Sequence, residues 1–319
     1  MKIGRLVLVS VLTILGCSSV MEHIKGGLHG LNSPEFRDTT HMVAVGNAVQ
    51  AKTLLAQMPP TLKSQAQWHY LKARNLLAVG RADQAVAHLR IAMQRAGHVP
   101  AVLNDLAAAL IMTGKPEQAI PLLKQINSSY FRKEFLNNLA AALLESGRLG
   151  EALNRFRMLT VSNPGDPVAW YNLSIANLRA KQYNKAISCM RRAVTLTPDD
   201  RDILTGLAMA CANAGNTTCA DLNYNKAISI YPTDWKLFDN YGAFLAEHGR
   251  DVQAQHNFQH ALQLNPHCAA CLYNMGRLNE KWGKNVRAIA YYQRFLDMKP
   301  DDPWAGLIRR HIEKMKKIH

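Results

Sequence analysis

Bulky apolar residues, small residues and helix breakers recur along this chain at one spacing. Pro164, Pro198, Pro232, Pro266 and Pro300 stand 34 residues apart. Counting back from them gives units 66–99, 100–132, 133–166, 167–200, 201–234, 235–268 and 269–302, the second one residue short. The twentieth position of every unit is alanine: Ala85, Ala119, Ala152, Ala186, Ala220, Ala254 and Ala288. The eighth is always small: Ala73, Ala107, Ala140, Ser174, Ala208, Gly242 and Gly276. The fifteenth is Gly80, Gly114, Gly147, Gly215, Gly249 and Gly283, with Lys181 as the exception.

Each requirement has a physical cause. Small residues at eight on a first helix and at twenty on a second let two backbones approach closely. Glycine at fifteen supplies the left-handed conformation that stops the first helix and turns the chain. Proline at thirty-two ends the second helix, because its ring cannot continue the hydrogen-bond ladder. Bulky residues at positions four, seven and twenty-four, such as Trp170, Leu173 and Met190, fill the space between helices. One such pair cannot bury its own apolar face, so neighbours must stack. Lys72 occupies the seventh position of the first unit, where an apolar residue is expected, and leaves that unit's register open by one residue.

This pattern resembles the tetratricopeptide repeat over residues 66–302. The resemblance implies an all-α solenoid, a right-handed superhelix of helix–turn–helix repeats whose first helices line a concave groove that holds other proteins. Residues 38–65, with Val43, Val45, Ala48, Val49, Leu54 and Leu55 ahead of Pro59-Pro60, read as an N-terminal helix. Residues 303–319 begin Pro303-Trp304 and read as a capping helix, with Leu307, Ile308 and Ile312 packed on the seventh unit and Arg309, Arg310, Lys314, Lys316 and Lys317 in solvent.

The front of the chain has a different character. Lys2 and Arg5 precede an apolar run from Leu6 to Leu15, too short to span a bilayer, which reads as a secretory signal. Its end, Ile14-Leu15-Gly16-Cys17, resembles the lipobox of bacterial lipoproteins. That resemblance implies a signal at 1–16, acylation of Cys17, a lipid-anchored tether at 17–37 and, with Ser18 rather than aspartate after the cysteine, an outer-membrane address facing the periplasm.

Composition narrows the function. Hydrophobic residues reach 48%, enough to exclude a disordered chain, and no apolar run is long enough for an ordinary membrane-spanning helix. Thirty-eight Lys and Arg against 23 Asp and Glu give +15. Export and the lack of an aromatic–basic motif argue against nucleic acid, so anionic headgroups or acidic partner segments are the simpler match for that charge. No Gly-rich phosphate loop, G-x-S-x-G elbow or H-E-x-x-H occurs, which points away from enzymatic activity and from a cofactor. Acidic pairs such as Asp199-Asp200 and Asp301-Asp302 fall at repeat turns, where they cap the next helix.

Three constellations carry candidate chemistry. His256 and His260 stand at i and i+4 but lack an evident third metal ligand. His267, Cys268 and Cys271 cluster at a repeat junction, where a C-x-x-C pair can be a redox or metal motif but, with one histidine beside it, reads rather as small buried cysteines or as a disulfide, while Cys189, Cys211 and Cys219 have no assignable partner. The sixth position of the first helices, groove-facing in the resembling family, carries Asn138, Asn172, Asn240 and Asn274, with Asp105 as a polar relative. Amides offer both donors and acceptors, so a ladder of them suits the backbone of an extended peptide, while asparagine at this position is also common in the repeat consensus, partly for helix packing. Position two (Ala101, Glu134, Val168, Asp202, Lys236, Ala270) does not supply the two-carboxylate clamp of chaperone-binding relatives.

The chain therefore resembles envelope lipoproteins that hold other proteins: assembly lipoproteins of the tight-adherence (Flp) pilus, and the pilotins that escort secretin subunits. Asn240-Tyr241-Gly242-Ala243-Phe244-Leu245 is similar to a stretch in pilotins, whereas seven units exceed a typical pilotin and favour the first group or a general scaffold. The expected partners are envelope proteins, namely secretin, pilus-assembly or secretion components. An adaptor for cell-wall enzymes is the third reading.

Overall fold

The computed structural model describes residues 28, 30–31, 33–126 and 132–317, and every regular element among them is helical. Cys17, the expected signal and most of the expected tether lie outside these residues. Two compact bodies divide the chain, one ending at Leu196 and one starting at Thr197.

The first body holds α1 (Pro34–Ala44), α2 (Ala48–Gln57), the single turn α3 (Pro60–Lys63), α4 (Ala66–Ala78), α5 (Ala82–Ala96), α6 (Pro100–Met112), α7 (Pro116–Lys124), α8 (Arg132–Glu145), α9 (Leu149–Ser162), α10 (Pro167–Arg179) and α11 (Tyr183–Leu196). The second holds α12 (Arg201–Asn213), α13 (Thr217–Ile230), α14 (Trp235–Glu247), α15 (Asp251–Leu264), α16 (Ala269–Lys281), α17 (Asn285–Met298) and α18 (Ala305–Lys317). From α4 to α17 the helices pair in sequence as a first (A) and a second (B) member of a hairpin, and within each body A and B helices pack on the next pair.

The single N-terminal helix expected over 38–65 is instead a hairpin, α1 and α2, turned at Gly46 with φ 74°. It obeys the repeat: Gly46 precedes Gly80 by 34 residues, and Ala51 and Leu55, both fully buried, precede Ala85 and Leu89 by the same interval. Thr39 takes the small eighth position and is buried, with 2% of its surface exposed. The helix reaches back to Pro34, into the segment expected as tether, because Pro34 suits a first helical turn. Asn47 caps α2 by accepting the Gln50 N–H at 3.1 Å, and the Trp68 Nε1–H donates to the Leu55 carbonyl at 3.1 Å, tying α4 to this hairpin.

The close approach of A and B is visible at every pair. All seven alanines at position twenty are fully buried. Ser174, also fully buried, donates its hydroxyl to the Ala186 carbonyl at 2.8 Å and so links α10 to α11. In the last two pairs the B helix carries a large ring opposite the eighth position, and only glycine leaves room. A Cβ on Gly242 would stand 2.8 Å from Phe258, and one on Gly276 would stand 2.5 Å from Tyr292. Lys72 is half-buried with its ammonium 6.0 Å from the Trp68 ring, while Ala73 and Ala85 are fully buried, so the first unit keeps the common register.

Asp166, Asp200 and Asp234 cap α10, α12 and α14 with their side chains, as anions suit a helix N-terminus. Helix α18 closes the second body with Ala305, Ile308, Ile312 and Met315, which pack with Leu272, Tyr292, Phe295 and Leu296. Leu307, expected in that contact, is 49% exposed, because it falls off the i, i+3, i+7 stripe that the other four define.

Two outcomes test this packing. Gly276→Ala should lower the thermal midpoint: the clash with Tyr292 costs roughly 1–3 kcal/mol, more than the about 1 kcal/mol that alanine adds in a helix. Gly306→Ala in α18, where a Cβ meets nothing within 4 Å, should raise it, with a stabilisation of about 0.5–1 kcal/mol. Equal shifts in both variants would refute the close approach. Second, Lys181 holds φ 57°, the left-handed conformation that glycine supplies at the other A–B turns. Lys181→Gly should therefore stabilise by about 0.5–1 kcal/mol in a thermal melt, and a destabilised variant would exclude strain at this turn.

Candidate functional site

The sixth-position residues lie on the A helices, and the structure gives most of them internal partners. Asn138 is buried and its amide donates to Asn104 Oδ1 at 2.9 Å. Fully buried Asn172 donates to Asn137 Oδ1 at 2.8 Å. In the second body, half-buried Asn274 donates to Asp239 Oδ1 at a long 3.5 Å. The acceptor sits in every case at position five of the preceding repeat, so one rule generates all three rungs. Asp105 instead forms an ion pair with position nine of the preceding repeat, its Oδ2 3.7 Å from Arg74 Nε. Tyr70 lies fully buried beside this pair, and burial together with the Asp105 charge pushes its phenol pKa up.

Asn240 differs. It is half-buried and its side chain makes no hydrogen bond among the described residues. The reason is one repeat earlier: position five there is Thr205, whose hydroxyl donates to its own helix at the Arg201 carbonyl, 2.7 Å away. The rung is not closed, and the Asn240 amide has no partner on the preceding repeat.

The cysteines correct the sequence-based reading. Cys211 and Cys219, for which spacing assigned no partner, form a disulfide with Cα atoms 5.7 Å apart. They occupy positions eleven and nineteen, which face each other across the A–B turn of one hairpin, a juxtaposition visible only once the turn is placed. Cys268 and Cys271 form a second disulfide at the start of α16. Cys189 is a free, buried thiol, and burial pushes its pKa up.

Asp239, which sequence reasoning did not single out, stands beside the second disulfide, and burial pushes its carboxyl up to about 6. His256 and His260 are exposed, and the His260 ring lies edge-on to Phe238 at 4.3 Å. No third metal ligand gathers with these two histidines among the described residues. A shallow concavity of about 320 Å³ lies on the B-helix side of the second body, where Arg287 and Arg294 face Gln255 and Gln259.

Two family models, each described as a tetratricopeptide repeat, match residues 76–132 and residues 137–201 and 246–303. The sequence matches no curated protein. Among solved structures, a tetratricopeptide repeat protein from Parabacteroides merdae is similar at 18% identity and a TM-score of 0.59, over 79% of this chain and 98% of that one. The Cut9–Hcn1 hetero-tetramer of the APC/C is similar at 17% identity and a TM-score of 0.54, over 93% of this chain and 61% of that chain. At these identities the likeness extends to the fold. The family models cover more than half of the sequence, and the chain belongs to the tetratricopeptide repeat family.

Proposed function

We propose that this chain is a non-catalytic scaffold of the bacterial envelope, lipid-anchored through Cys17 to the outer membrane and facing the periplasm, which holds components of a tight-adherence type pilus or secretion apparatus on its A-helix face. Tetratricopeptide repeats hold protein partners, and that much rests on family membership. The observation that carries the choice of face is the open amide of Asn240 in a row whose other amides are engaged between helices. Two disulfides support an exported chain, because such bonds persist in oxidising compartments. The lipobox-like Ile14-Leu15-Gly16-Cys17 supports the anchor.

The amides separate binding from stability. Asn240→Ala should leave circular dichroism and the thermal midpoint unchanged while weakening capture of envelope proteins roughly 2- to 12-fold, the worth of one hydrogen bond of ~0.5–1.5 kcal/mol. Asn172→Ala should do the reverse, costing about 1–3 kcal/mol of stability because Asn137 loses its donor. A folded Asn240→Ala chain that retains every partner at full strength would move binding to the B-helix side, where Arg287 and Arg294 offer charge to acidic segments. For the anchor, Cys17→Ser should abolish palmitate labelling and sedimentation with outer membranes, and unchanged fractionation would remove it.

A further inference from the structure

Asp239 is an anomaly among the acids of the second body. Asp221 faces Arg250 at 2.6 Å, Asp234 faces Arg201 at 2.9 Å and Asp251 faces Lys281 at 2.6 Å. Half-buried Asp239 has no cation beside it among the described residues, and its one hydrogen bond is the long contact from Asn274. A carboxylate withdrawn from water without a countercharge is costly. What lies next to it is sulfur. One ligand atom each of Asp239, Cys268 and Cys271 fall within 4.8 Å of one another, the one such group of three among the described residues.

We propose that Asp239, Cys268 and Cys271, once their disulfide is reduced, form a site for a thiophilic divalent cation of the zinc class. Two thiolates and a carboxylate give three protein ligands and leave one position open, a donor set suited to a tetrahedral d¹⁰ ion. The positive ion supplies the countercharge that Asp239 lacks. With Cα atoms 5.3 Å apart, the two cysteines can hold their sulfurs at the roughly 3.8 Å separation that two metal–sulfur bonds of about 2.3 Å require.

The surroundings orient the ligands as a metal site needs. Cys268 is the N-cap of α16, and its sulfur accepts the Cys271 N–H at 3.1 Å. That position at a helix N-terminus favours thiolate over thiol. The Asn274 amide donates to the Asp239 carboxylate. Ala261 packs with the two cysteines, and Trp235, Phe238, Leu262 and Ala270 pack against that cluster, an apolar shell that lowers the local dielectric and strengthens coordination.

The chemistry balances with a dithiol reductant. Two electrons and two protons pass from the reductant to the Cys268–Cys271 bond, giving two thiols and the reductant's own disulfide. The cation then displaces both thiol protons to solvent. Disulfide and bound ion exclude each other, so the redox state of this pair decides occupancy.

The test uses the full chain, reduced with a phosphine, desalted without oxygen and titrated with Co(II), then with Zn(II). The reduced protein should take up a single tetrahedral Co(II) with sulfur-to-metal charge-transfer bands, and Zn(II) should displace it. The oxidised chain should show neither band. Cys268→Ser/Cys271→Ser should lose the charge-transfer bands. Asp239→Asn should keep them with an affinity lowered roughly 10- to 100-fold. Cys211→Ser/Cys219→Ser should bind as wild type does, and circular dichroism confirms that each variant is folded. Absence of a tetrahedral spectrum in the reduced wild type, equal binding by the oxidised chain, or undiminished affinity in Asp239→Asn would each overturn the site.

Discussion

The close approach of the two helices within each hairpin is the constraint on which the rest depends. It demands a residue without bulk at position eight of the A helix and alanine at position twenty of the B helix, and all seven of those alanines are sealed from solvent. Interiors packed at crystal density tolerate little change in volume, so what one helix adds the other must give up. The last two pairs show the exchange. Phe258 and Tyr292 bring rings into the contact, and Gly242 and Gly276 withdraw a methyl to admit them. The turn follows from the same demand, since two helices this close must reverse in a few residues, with one residue in the left-handed region.

Polar atoms obey a second constraint that the packing imposes. Stacking A helices side by side withdraws their position-five and position-six side chains wholly or partly from water, and an amide buried there must find a partner. Pairing position six with position five of the preceding repeat satisfies both without disturbing the backbone. The arrangement also fixes the spacing between hairpins, because a one-residue slip would break every rung. Where position five is threonine, the hydroxyl turns back to its own helix and the amide opposite is left without that partner. The proposed binding position thus coincides with a local interruption of a structural pattern.

The cysteines add covalent ties at two kinds of place. Cys211–Cys219 closes the turn of one hairpin, and a loop this short contributes about 2 kcal/mol through loss of unfolded-state entropy. Cys268–Cys271 joins residues that already share a helix start, where the entropy gained by closure is smaller still. Its placement against a carboxylate without a countercharge gives that pair chemistry beyond stapling.

The hairpin fold was legible in residue identities because its causes are local and periodic: prolines end helices, glycines turn them and small residues mark the contacts, whatever lies far away. The N-terminal hairpin obeys the same spacing at Gly46 and Ala51, but its eighth position is Thr39, outside the alanine, serine or glycine that marks the other units. The sixth-position asparagines were equally legible as a row, yet whether each amide faces a neighbour or solvent depends on the residue opposite it on another helix, Asn104, Asn137, Thr205 or Asp239. The sequence also named every cysteine without pairing Cys211 to Cys219, since positions eleven and nineteen meet only across a formed turn. Asp239 was one acid among 23 until folding set it beside two sulfurs. Periodicity determines which helices form and which faces they bury; only the packed stack decides which polar groups are left without a partner, because that is a property of two helices together and of neither alone.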